Sequence, residues 1–139
     1  MNEFQNIDIQ IDSEYASCPS VCDFPVVQED QIVGGNLKIT DLDKIQIRFD
    51  YPLSHQVTLA FSNPDGFTRM DFFRAVYDGY VTIYAAETAV AGNPGLIPGM
   101  LNRNTSKGPY GIWGHCMEDL FLEGFREIDP GVFELTIGS

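Results

Sequence analysis

The hydrophobic period of this chain changes once, and that change restricts the fold more than any other feature. Ile7, Ile9 and Ile11 alternate strictly with Asp8, Gln10 and Asp12. The same two-residue period returns at Leu37 and Ile39, at Ile45, Ile47 and Phe49, and at Val57, Leu59 and Phe61. Strict alternation buries one face of a β-strand. From Thr68 onward the apolar residues fall instead at Phe72, Phe73, Val76, Tyr77, Tyr80, Ile83 and Tyr84. That spacing makes one stripe of an amphipathic helix, over about residues 69–87. Asp71, Arg74, Asp78 and Thr82 take the opposite side.

The helix start is written locally. Thr68 is an N-cap residue with Asp71 three positions on, close to a capping box, and Phe67 with Phe72 forms a hydrophobic staple. Gly79 in the interior costs about 1 kcal/mol relative to Ala. It therefore marks close packing or a kink. At the C-terminal end, residues 121–128 and 132–137 read as two strands joined by Asp129-Pro130-Gly131, a turn in which Pro fixes φ and Gly accepts a positive φ. Phe133, Leu135 and Ile137 share one face of the last strand.

Together these elements predict an α+β fold: a mainly antiparallel sheet of about six strands, one principal helix packed on it, and a C-terminal hairpin. The short links favour antiparallel neighbours, and a meander is the simplest order. Residues 1–139 fit one domain. Segments 13–35 and 88–114 are read as long irregular stretches, the first packed as a flap. Ile97, Met100 and Leu101 suggest partial packing in the second.

Charge narrows the function classes. The formal net charge is −12, a field that repels phosphate backbones and anionic lipid. Nucleic-acid and membrane partners are disfavoured, and no apolar run approaches the ~20 residues of a membrane span. Residues 1–43 hold nine acids against the single base Lys38. An acidic face of that kind is either plain solubility or a docking surface for a basic protein. The first residues lack the pattern of a signal peptide, and three cysteines cannot all pair with one another. Both points suggest a reducing, cytoplasmic setting. Asn104-Thr105-Ser106 then reads as a chance match to a glycosylation acceptor.

Candidate chemistry gathers between Gly108 and Leu120. The segment holds the only tryptophan, Trp113, together with His115, Cys116, Glu118 and Asp119. If it forms a helical turn, His115 and Asp119 stand at i and i+4, where a carboxylate can orient an imidazole for acid/base work. The plainer reading is a structural histidine and a capping acid. Tyr110, Ile112 and Trp113, in a glycine-framed turn, either plug one end of the core or form an interface or ligand wall. Cys18 and Cys22, spaced C-x3-C, would supply two metal ligands and His115-Cys116 could add to them, but a closed zinc site needs four, and adjacent residues rarely both reach one ion. Ordinary half-buried thiols are the simpler reading. A Cys116 nucleophile would need His55, the only non-adjacent histidine, as its base. The glycine-rich run completes no phosphate-binding motif. No cofactor is expected.

The phrase Tyr110-Gly111-Ile112-Trp113-Gly114-His115, followed by Glu118-Asp119-Leu120, resembles one in uncharacterised small acidic proteins of large DNA viruses that infect amoebae, and of some microbes. The resemblance covers about the last 35 residues. It implies no activity, and it favours a cytosolic or virion-associated protein. The sequence as a whole points to a non-enzymatic interaction or structural protein, self-associating as a homodimer. An edge strand, the first or the last, would pair across a two-fold axis. The alternative is a small enzyme, or metal-assisted hydrolase, centred on His115 and Asp119.

Overall fold

A computed structural model describes residues 6–12, 17–25, 27, 31–91, 105–113 and 115–138. Pro94, Ile97, Pro98, Met100, Leu101 and Asn104 lie outside the described residues. The described elements run β1 (Asn6–Asp8), β2 (Lys38–Thr40), β3 (Lys44–Phe49), β4 (Val57–Ser62), β5 (Phe67–Thr68), α1 (Arg69–Ala91), β6 (Phe121–Asp129) and β7 (Val132–Gly138). The fold is α+β, with α1 packed on a five-stranded sheet and a C-terminal β6–β7 hairpin.

The helix begins where its cap dictates. The Asp71 N–H donates to Thr68 Oγ1 at 3.1 Å, and the Thr68 N–H donates to Asp71 Oδ2 at 3.0 Å. This reciprocal pair satisfies two otherwise orphaned donors. Phe67, Phe72, Phe73, Val76, Tyr80, Ile83 and Tyr84 are all buried, while Arg74, Asp78 and Thr82 are exposed. Gly79 is a close-packing glycine: a Cβ there would stand 2.2 Å from Phe49 Cζ. α1 runs on to Ala91, so residues 88–91 extend the helix instead of starting the irregular stretch.

Strand order in the main sheet is β1-β6-β7-β3-β4, which corrects the expected meander. β3 and β4 do form an antiparallel pair, from Lys44 opposite Ser62 to Phe49 opposite Val57. The β6–β7 hairpin closes through Pro130-Gly131, with Gly131 at φ 72°. β7, however, lies beside β3 in parallel, with Ile47 opposite Phe133. A parallel return needs a long crossover, and α1 lies within the connection that provides one. β7 is therefore central, not an edge; among the described residues the edges are β1 and β4. The segment around Ile39 leaves the main sheet altogether: β2 pairs with β5 in a separate two-stranded ribbon at the start of α1.

The core is the apolar layer between α1 and the inner face of the sheet. Ile45, Ile47, Phe49, Phe125 and Phe133 are buried there. Phe72 stacks on Phe125 with ring centroids 4.0 Å apart, and Phe49 meets Tyr80 edge-on at 5.0 Å. The described part of residues 13–35 packs on this core through Val21 and Ile32. Its anchor is a 3-10 turn, Val21–Asp23, capped by Ser20.

Candidate functional site

The residues of interest lie on an extended segment threaded past the C-terminal half of α1. Backbone hydrogen bonds hold it on both sides. The Ser54 N–H donates to Gly111 O at 2.8 Å, the Trp113 N–H to Pro52 O at 2.8 Å, and the Ser106 N–H to Ile112 O at 2.9 Å. In an extended chain adjacent side chains point to opposite faces. Ile112 is fully buried, so its neighbour Trp113 turns outward and is 44% exposed. The residue that plugs this end of the core is Ile112, which corrects that reading of Trp113. Tyr110 is half-buried against the core.

One buried carboxylate organises the segment. Glu87 has no exposed surface, although it lies on a helix whose inner face is otherwise apolar. It accepts hydrogen bonds from the Gly108 N–H and the Tyr110 N–H, both at 2.8 Å, and from the Ser106 hydroxyl. Gly108 must be glycine for this contact: a Cβ would lie 2.5 Å from Glu87 Cδ. Burial pushes the Glu87 carboxyl up. The Ser106 hydroxyl and the N–H groups of Tyr110, Gly108 and Gly111 outweigh it, and the carboxyl titrates below its ordinary range. The sequence carries a signal for this residue. Tyr80, Ile83, Tyr84 and Glu87 share one helical stripe, and an acid in such a stripe must find donors.

Two tyrosines of α1 tie the neighbouring strand end and turn to the helix. The Tyr80 hydroxyl donates to Tyr51 O at 2.6 Å and the Tyr84 hydroxyl to His115 O at 2.9 Å. Burial raises both phenols far above their ordinary value, so they remain neutral donors. Tyr51 Oη lies 3.0 Å from His115 Nε2. The Trp113 ring packs edge-on to His115, with centroids 5.5 Å apart. Tyr51, Trp113 and His115 thus form a partly open aromatic cluster.

Asp119 has a different task. A 3-10 turn spans Met117–Asp119, and Asp119 Oδ2 accepts the Cys116 N–H at 3.1 Å, capping the turn. His115 precedes that turn, so the i, i+4 relation on one helical face does not arise. No hydrogen bond joins His115 to Asp119 among the described residues. His55 is exposed, and its backbone N–H donates to Tyr110 O at 3.1 Å.

The cysteines are half-buried. Burial pushes the Cys22 thiol up, reinforced by Glu118 and Asp23; burial also raises Cys116, reinforced by Asp119 and Glu118. Neutral thiols are poor nucleophiles and poor metal ligands. The turn carrying Cys22 packs against the turn after Cys116: the Ser20 hydroxyl donates to Glu118 O at 3.0 Å, and the Val21 N–H to Leu120 O at 2.8 Å. Among the described residues no group of three or more His, Cys, Asp or Glu is arranged to hold a metal ion, and no helix is long and apolar enough to cross a membrane. A cleft of about 350 Å³ lies elsewhere, between the end of β4 and the first turns of α1, lined by Phe61, Asn63, Phe67, Asp71, Arg74 and Asp78. No family model matches this chain, and neither the curated proteins nor the solved structures supply a similar one.

Proposed function

We propose that the protein is a non-enzymatic interaction protein that works by associating with itself. The edge strand β4 carries this reading. Sheet edges present unpaired backbone donors and acceptors, and proteins usually blunt them with charge, proline, a bulge or a very short strand. β4 has none of these devices. It is six residues long, reads VTLAFS, and pairs with β3 in unbroken register. It is also the one strand of the main sheet without a charged residue, whereas β1, at the other edge, is three residues long and carries Asp8.

In this reading Trp113 and Tyr110 form a secondary contact patch, and the net charge of −12 leaves room for a basic protein partner but not for nucleic acid. A cytoplasmic location, free or within a virion, belongs to the same reading. The small-enzyme alternative would have to work through the His115 and Tyr51 contact, because Asp119 is committed to its cap. Light scattering across a dilution series tests the proposal. A mass that rises with concentration to twice 15.5 kDa supports it, and a constant mass near that of one chain rejects it.

A further inference from the structure

Resting on the reading of self-association, we infer that the partner on β4 is the same strand of a second copy, antiparallel, with Leu59 opposite Leu59 on a two-fold axis. In an antiparallel ladder, directly opposed residues point to the same face. A two-fold axis perpendicular to the sheet therefore admits only registers that pair odd with odd and even with even. Two such registers overlap β4 well, one centred on Leu59 and one on Ala60.

The inner row of β4 chooses between them. Val57, Leu59 and Phe61 lie opposite the buried Phe49, Ile47 and Ile45, yet each stays half-buried because the sheet ends there. Centred on Leu59, the axis sets Val57 against Phe61 of the second copy and Phe61 against its Val57. The two half-covered apolar rows then complete each other. Centred on Ala60, the axis still sets Leu59 against Phe61, but it leaves Val57 against the polar Asn63. On the outer row the Leu59 register pairs exposed Thr58 with exposed Ala60.

Charge also permits the approach. Residues 51–64 contain no Asp, Glu, Lys or Arg. Two chains of net charge −12 can meet along this strip without setting carboxylates face to face. The product would be one continuous sheet of ten strands, twice the five in each copy, with both helices on the same side.

A charge swap on the outer row tests the register, since both positions are exposed in the single chain. In the Leu59 register, Thr58→Lys with Ala60→Lys sets like charges opposite each other twice. The dissociation constant measured by sedimentation should rise about tenfold. Thr58→Lys with Ala60→Glu sets opposite charges together at the same two places, and should stay within about threefold of the parent. Circular dichroism confirms that each variant is folded. A Lys/Glu variant that dissociates as readily as the Lys/Lys variant would overturn the register. Two variants that both associate like the parent would remove β4 from the interface while leaving self-association standing. A parent protein that is monomeric at every concentration defeats both.

Discussion

Near its start, α1 meets the sheet through Phe72, which packs on Phe125 and Phe133, with Phe73 and Val76 buried beside it, and nothing polar at that contact needs a partner. Further along the same helix, Glu87 buries a carboxylate and holds a whole segment by its backbone N–H groups. The first contact is many small dispersion and burial terms, none decisive alone. The second is a few charge-assisted hydrogen bonds around one group, each worth more and none replaceable by an apolar side chain of similar size. Apolar packing degrades gradually when atoms are removed. A carboxylate hub fails when its charge is lost.

The largest expected effect breaks the hub. Glu87→Gln keeps the shape but turns an NH2 toward groups that are themselves donors, and should cost on the order of 2–4 kcal/mol in urea unfolding. Lowering the pH does the same without mutation. Because the folded-state pKa of Glu87 lies below its ordinary value, its contribution is present above the unfolded pKa and is lost as pH falls through the folded one. Trp113, the only tryptophan, sits on the segment Glu87 holds. Its fluorescence should therefore change on acidification before the helical circular dichroism does. Simultaneous changes in both signals would mean that the two regions are one cooperative unit.

Val76→Ala probes the other region and should cost about 1–3 kcal/mol, through lost burial and a residual cavity. Its loss should not depend on pH between neutral and mildly acid conditions, and a pH-dependent loss would blur the contrast. Trp113→Ala should cost only about 1 kcal/mol, because half the ring is already in water. A loss several times larger would restore the core-plug reading. Smallest of all, Arg74→Ala removes an exposed ion pair to Asp78 at 3.7 Å and should change the urea midpoint by less than about 0.5 kcal/mol.

The same contrast explains what could be read in advance. The strands, the helix, its Thr68–Asp71 cap and the Pro130-Gly131 turn follow from periodicity and local hydrogen bonding, which involve residues a few positions apart. Sheet order does not. Whether β7 joins β3 or lies at an edge depends on a pairing of residues on either side of α1, and alternation in each strand is the same in both cases. The segment around Trp113 was opaque for a related reason. Its conformation is set by Glu87 and by residues 52–55, none of them within it, so it has no period of its own. His115 and Asp119 were close enough in sequence to suggest a dyad, yet each has a partner that spacing alone does not reveal: Tyr51 for one, the Cys116 N–H for the other.

The parallel β3–β7 ladder also bears on how the chain finds its structure. β3–β4 and β6–β7 are hairpins that close over short loops, but Ile47 meets Phe133 only after most of the chain between them has been gathered in. Closing so long a loop costs entropy before the ladder returns any stability, and contacts of this separation slow folding. Refolding should be limited by the joining of two preformed hairpins. A conservative truncation at the seam, Ile47→Val, should then retard refolding more than it accelerates unfolding, because the seam forms in the rate-limiting step.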